Sequence, residues 1–233
     1  CESVGKNETQ QNKNKSLGGF TDGTRISFIA EVLSKSSVMQ IYRLQRGDIQ
    51  MNHSGTITLE SARLILRRFR TEDAEQMYHN WASEDEVTRF LTWPTHPNAD
   101  ITRQVIGQWI KEYEKNDYYN WAIELKETGE IIGSISVVSI REDISEAMLG
   151  YCMGTKWWGK EIMPEAGGAV IKYLFEQVGA NRIGATHDKN NPKSGRVMQK
   201  LGMTYEGTLR RAEFNNQGIV DAVHYSILKE EYV

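Results

Sequence analysis

The stretch LGYCMGTKWWGKEIMPEA, Leu149 to Ala166, runs from an apolar strand through a short glycine-containing loop straight into an amphipathic helix. Unpaired N–H groups and a partial positive charge at the first turn of a helix make such a junction a potential anion site, one that needs no lysine. By itself the pattern is equally that of an ordinary strand-to-helix connection, with Trp157 and Trp158 packed as core or lid.

Around this junction the periodicity alternates between strand and helix. Upstream, RLILRRF from Arg63 alternates like a strand, Thr71 is placed to cap a helix over DAEQMYHNW, and a short helical piece spans Asp85 to Leu91. A longer helix, about Asp100 to Asn116, puts Ile101, Val105, Trp109 and Tyr113 on one face. A second strand follows at Tyr119 to Leu125, a turn at Thr128-Gly129-Glu130, a third strand in IIGSISVVSI, and a fourth at about Glu146 to Met153. Downstream, Ile162, Ala166, Ala169, Tyr173 and Leu174 form a helical stripe ending at Gly179, and RIGATH is the fifth strand. Asn191-Pro192 begins a short helix reaching Leu201, since Asn suits the cap and Pro the first turn. Two last strands, Thr204 to Arg211 and Ile219 to Leu228, flank a turn at Asn215 to Gly218. The fold class is therefore α/β, a mixed sheet flanked by helices.

Composition narrows the function. With 233 residues, 39% hydrophobic and 25% charged, the chain can bury one good core. A net charge of -3 argues against a protein that wraps nucleic acid. No window approaches the roughly 20 apolar residues of a membrane helix, because Gly133 and three serines interrupt IIGSISVVSI. Two cysteines, Cys1 and Cys152, make neither a disulfide framework nor a zinc site of the usual ligand count, so a reducing cytoplasm and no metal are expected.

The first fifty residues differ in character. CESVGKNETQQNKNKS has almost nothing to bury and residues 26–44 offer at most a short helix. Met51 precedes the first regular pattern, and Arg46-Gly47-Asp48 could be encoded by AGG GGA GAT, a ribosome-binding sequence. Residues 1–50 are thus expected to be a disordered or poorly ordered leader that need not be native, with the domain at 51–233. The leader holds 7 basic and 5 acidic groups of the chain's 28 and 31, which leaves 21 against 26 and a net charge of -5 on the domain.

A second element, HDKNNPKSGRVMQKLGM at His187 to Met203, follows in the next strand and helix. Trp158-Gly159-Lys160-Glu161-Ile162 with Glu165-Ala166, then Asn191, Ser194, Val197, Lys200 and Gly202-Met203, resemble the GNAT N-acetyltransferase superfamily, specifically its branch of RimJ- and RimL-like ribosomal-protein N-acetyltransferases. RLILRRF, Leu149-Gly150-Tyr151 and Glu206-Gly207 match as well, so the likeness covers about residues 58 to 230.

That resemblance implies a mostly antiparallel central sheet splayed between its fourth and fifth strands, with acetyl-CoA in the gap. It implies transfer of acetyl to a primary amine, on a protein N-terminus or a small molecule, by direct attack. Met153 and its neighbours would offer backbone groups to the pantetheine, Trp158, Gly159, Lys160, Glu161, Ile162 and Met163 would surround the pyrophosphate, and Asn191 would bond the pantetheine. Ser194 would sit near the thioester sulfur and is the candidate to protonate or hydrogen-bond the departing CoA thiolate, and Glu146, acting directly or through water, is the candidate base.

Three departures stand out. Glu161 replaces the usual first loop glycine, Met148 stands where the branch tends to carry Glu, and the frequent general-acid tyrosine falls at Met198. Together they keep open a catalytically idle acyl-CoA-binding sensor of the same fold. His187, His224 and Cys152 are weaker candidates, and Trp81, Trp93, Trp109 and Trp121 are explained mostly by packing. Lys172 and Lys193 are expected to be solvated charge.

Overall fold

A computed structural model describes residues 51–232; the expected leader and the helix at 26–44 lie outside the described residues. Eight strands form one sheet: β1 (Leu59–Glu60), β2 (Leu64–Arg67), β3 (Asn120–Leu125), β4 (Ile131–Arg141), β5 (Glu146–Met153), β6 (Arg182–Asp188), β7 (Thr204–Asn215) and β8 (Gly218–Leu228). Their spatial order is β1-β2-β3-β4-β5-β6-β8-β7. All neighbours are antiparallel except β5 and β6, which run parallel.

The parallel pair is also the incomplete one. β5 registers with β6 only from Glu146↔Arg182 to Leu149↔Ala185, whereas its other edge pairs with β4 as far as Met153↔Gly133. Beyond Leu149 the two strands part, and the sheet opens between the fourth and fifth strands as numbered from RLILRRF. The two-residue β1 is the addition that the sequence pattern did not suggest.

Among the described residues five α-helices flank the sheet: α1 (Asp73–Met77), α2 (Asp85–Thr88), α3 (Ala99–Glu112), α4 (Ile162–Tyr173) and α5 (Pro192–Lys200). Successive strand residues face opposite sides. Ala147, Leu149 and Met153 of β5 join one cluster with Ala166 and Val170 of α4, while Cys152 packs into another with Ala74, Met77, Trp81 and Ile106. Helix α5 lies close on β6, where a Cβ at Gly195 would come within 2.7 Å of His187 Nε2.

Two local expectations are corrected. Thr71 does not cap α1; the cap position is Glu72, and Asp73 instead accepts from the Arg70 N–H and binds Arg67 through both oxygens. On α3 Thr102 and Ile106 are buried rather than the expected Ile101 and Val105, while the expected Trp109 and Tyr113 do pack with the second cluster; Asn98 caps the helix, its side chain accepting from the Ile101 N–H at 3.1 Å. Both α1 and α4 continue into π-helical turns, Tyr78–Ala82 and Leu174–Val178, the latter ending at Gly179 with φ 81°.

Candidate functional site

The opening between β5 and β6 is part of a cavity of about 660 Å³. Alternation along an antiparallel strand turns successive N–H and C=O pairs to opposite edges. Gly154 N–H bonds Ile132 O at 3.0 Å on the β4 side, so the peptide groups of Met153 and Tyr151 face the gap. The Met153 carbonyl is taken by the Trp158 indole N–H at 2.7 Å, leaving its N–H as the donor at the end of the strand.

The next wall is the start of α4. No side chain caps this 12-residue helix. Its first-turn N–H groups at Ile162 and Met163 therefore belong to a helix end that suits an anion. Gly159 has φ 74° and open space where a Cβ would stand, which leaves the loop backbone accessible. Glu161, at the cap position, has φ 61° and ψ 17°, the left-handed conformation that favours glycine. Its backbone thus has the shape expected of a glycine at this position. Its carboxylate does not stand alone beside the helix end, because Lys200 at the far end of α5 pairs with it. Glu165 anchors the first turn by accepting from Ser61 Oγ and from the Arg63 backbone and side chain. Burial works against that charge, but the hydrogen bonds prevail and hold its carboxyl below the usual carboxylate range.

Helix α5 supplies the facing wall. Asn191 caps it, its side chain accepting from the Ser194 N–H at 3.4 Å. Ser194 in turn meets Tyr151: the serine Oγ donates to the phenol oxygen at 2.9 Å, and the Tyr151 hydroxyl donates to the Ser194 carbonyl at 3.0 Å. Burial pushes the Tyr151 hydroxyl well above its ordinary pKa, an effect only partly opposed by Ser194, so it is a protonated donor throughout the neutral range. Lys193 is not merely solvated. Its Nζ lies 3.9 Å from the Trp158 ring centroid and 3.5 Å from Glu86.

Among the residues selected from sequence, Met153, Trp158, Gly159, Glu161, Ile162, Met163, Asn191 and Ser194 all line this one cavity. Lys160 does not; its carbonyl accepts from Arg63 at 3.0 Å. Glu146 does not either. It is buried at the start of β5, the end away from the opening, with Arg182 Nε at 2.5 Å and Arg141 at 3.7 Å. Met198 is packed in the core. Tyr151 has the placement that sequence reasoning missed, since its only signal was membership of the Leu149-Gly150-Tyr151 motif.

The weaker candidates sort by environment. Cys152 lines the cavity, but burial pushes its thiol up to about 11, with partial relief from Ser134, so it is not a ready nucleophile. His187 is turned to the Asp188 carbonyl at 2.7 Å. His224 has a buried Nε2 without a hydrogen-bond partner. Trp81 and Trp121 are wholly buried, and Trp93 and Trp109 pack beside the second cluster. Among the described residues no group of three His, Cys, Asp or Glu side chains could hold a metal ion, and no helix is long and apolar enough to cross a membrane.

An uncapped helix end, an open glycine loop, gap-facing peptide groups and Lys193, Arg196 and Lys200 around the cavity suit an extended, anionic ligand. Residues 63–204 match the family described as "Acetyltransferase (GNAT) domain". YoaA of Bacillus subtilis (strain 168), described as an uncharacterized N-acetyltransferase, is 32% identical over 171 residues, which cover 73% of this chain and 96% of the relative. The [Ribosomal protein uS5]-alanine N-acetyltransferase of Escherichia coli (strain K12) is 29% identical over 65% of this chain and 80% of its own. A crystal structure of a GNAT-family acetyltransferase from Bacillus anthracis superposes with a TM-score of 0.66 at 25% identity, covering 75% of this chain and 99% of that one.

Proposed function

The chain belongs to the GNAT acetyltransferase family and is an acetyl-CoA-dependent acetyltransferase; within that activity, we propose that it acetylates a primary amine by direct attack, the acceptor being a protein N-terminus or a small amine in the cytoplasm. The observation that carries this reading is the Tyr151–Ser194 pair inside the opening of the sheet.

Acetyl-CoA supplies an acetyl group activated as a thioester. The first turn of α4 and the loop at Gly159 would hold its pyrophosphate, and Asn191 and the gap-side edge of β5 its pantetheine. Held in place, acceptor and thioester no longer pay the entropy of a bimolecular encounter. The Met153 N–H is the donor for the carbonyl oxygen as negative charge develops there. As the new C–N bond forms and the C–S bond breaks, the Tyr151 hydroxyl gives its proton to the departing sulfur, and Ser194 Oγ supports the phenolate through its hydrogen bond until a proton from solvent, equivalent to the one the amine releases, restores the phenol.

The amine must also lose a proton. Both carboxylates that line the cavity are already paired, Glu86 with Lys193 and Glu161 with Lys200. An α-amino group, with a pKa of about 8, is about one-quarter neutral near pH 7.5, whereas a lysine at about 10.4 is neutral only to about one part in a thousand. The site therefore suits an α-amine whose proton leaves to solvent better than it suits a lysine or polyamine. Calorimetry with acetyl-CoA, followed by thiol release across peptide N-termini, amino acids, polyamines and aminoglycosides, tests the reading. Turnover is expected with α-amines; binding without turnover on any amine would point instead to the idle sensor.

A further inference from the structure

The turn between β7 and β8 bridges two elements on either side of the opening. Asn215 Nδ2 donates to the buried Asp188 carboxylate at 2.9 Å, at the end of β6, and the Lys189 N–H donates to the Asp221 carbonyl at 3.0 Å. On the other side the Asn216 N–H donates to Leu91 O at 3.0 Å, and Asn216 Nδ2 donates to the carbonyls of Thr88 at 2.9 Å and Trp93 at 2.8 Å. Every donor of Asn216 is thus spent on the last residue of α2 and the segment that follows it. That segment is a cavity wall, since Arg89, Phe90 and Leu91 line it.

Across the cavity Lys193 of α5 reaches Glu86 of α2 at 3.5 Å. The connections run from α2 to Leu91, by hydrogen bonds to Asn216, from the neighbouring Asn215 to Asp188, through Asn191 into α5, and back to Glu86 by the Lys193 ion pair. A cavity whose Arg89–Leu91 wall is tied down in this way resists widening, because moving the wall requires breaking hydrogen bonds to carbonyls that would otherwise lose their partners.

We propose that Asn216 is a specificity-determining residue, which by tying the Thr88–Trp93 segment to the β7–β8 turn restricts the acceptor to an amine on a slender, flexible stem. Amines flanked by bulky groups, or held against a folded surface, are excluded by girth. The proposal rests on the reading of the chain as an amine acetyltransferase.

The test compares wild type, Asn216→Ala and Asn216→Asp in acetyl transfer from acetyl-CoA to two tripeptide amides, Ala-Gly-Gly and Trp-Gly-Gly. The aspartate variant keeps the size of the side chain and removes its N–H donors, so it also serves if the alanine variant folds poorly. Wild type is expected to prefer the slender acceptor, and both variants to narrow that preference in kcat/KM by about fivefold or more, within the range that one pocket contact commands. The slender acceptor itself should change by less than about threefold, and hydrogen exchange across residues 88–93 should quicken in the variants. An active wild type whose preference is unchanged in both variants overturns the role of Asn216 alone. A wild type that binds acetyl-CoA but acetylates no amine overturns the parent reading, and this proposal with it.

Discussion

Ser194 and Tyr151, 43 residues apart, hold each other across the opening of the sheet: the serine hydroxyl donates to the phenol at 2.9 Å while the phenol donates to the serine carbonyl at 3.0 Å. The contact exists because β5 and α5 occupy opposite walls of one gap, and it puts a half-buried, protonated hydroxyl where the sequence pattern offers only Met198.

Removing the Tyr151 proton donor should lower turnover without greatly weakening acetyl-CoA. Tyr151→Phe is expected to reduce kcat by about 100-fold, the lower end of general-acid contributions, while Ser194→Ala costs less because the phenol remains. Stopped-time thiol release measures both. Since burial raises the Tyr151 pKa, wild type should show no alkaline loss from this residue below about pH 10. Full activity in Tyr151→Phe would take the phenol out of the chemistry.

Lys200 is expected to matter chiefly because of Glu161. Lys200→Met leaves a carboxylate uncompensated beside the α4 terminus and should weaken acetyl-CoA by about five- to tenfold, on the scale of charge effects at helix ends. Combining it with Glu161→Gly should restore most of the affinity, and calorimetry of the four proteins closes the cycle. Glu161→Gly alone relieves a left-handed conformation that costs a side chain roughly 1–2 kcal/mol, so its Tm should rise by about 2–4 °C. Affinity that stays low in the double variant would mean that Lys200 grips the ligand itself.

Glu146 is expected to support the fold rather than the proton transfer. Glu146→Gln gives up charged hydrogen bonding to Arg182 at a buried position, which should lower stability by about 1.5–3 kcal/mol in urea titrations. Its kcat profile against pH should match wild type. Loss of the acidic limb would reinstate Glu146 as a base acting through water.

Stability at low pH should depend on the other carboxylate of Arg182. Glu206 is held at a pKa of about 2, first by Arg182, against an opposing effect of burial, with help from Ser226. A depressed carboxyl stabilises the fold above its unfolded pKa, near 4.3, and that stabilisation fades as pH falls toward 2. Solvent screens this partly exposed pair and limits the gain. The stability difference between wild type and Glu206→Gln should therefore shrink from pH 5 to pH 2 in urea titrations; a difference constant across that window would mean the pair contributes nothing.

Local signals explain why much of this was legible. Hydrophobic alternation located the strands, and Asn191-Pro192 located the start of α5, because each depends on neighbours in sequence. The residues drawn from the motifs gathered around one cavity for the same reason, as both junctions are strand-to-helix turns. What escaped depends on register. That Glu146 is spent on Arg182 follows from parallel pairing across 36 residues, and no periodicity reveals it. The pairing of Glu161 with Lys200, across 39 residues, likewise needs α4 and α5 brought side by side. On α3 the first half of the stripe was displaced by one position, since Thr102 and Ile106 rather than Ile101 and Val105 are buried, while Trp109 and Tyr113 pack as expected.

β5 uses its two edges and two faces for different purposes. The free edge past Leu149 presents peptide groups, which every residue but proline retains on substitution. Met148, Gly150 and Cys152 point to the face opposite Leu149, Tyr151 and Met153. Because these donors are main-chain groups, the side chains lining the rest of the gap can change without removing them, so the contacts proposed for the acyl donor would survive substitutions that reshape the space for the acceptor.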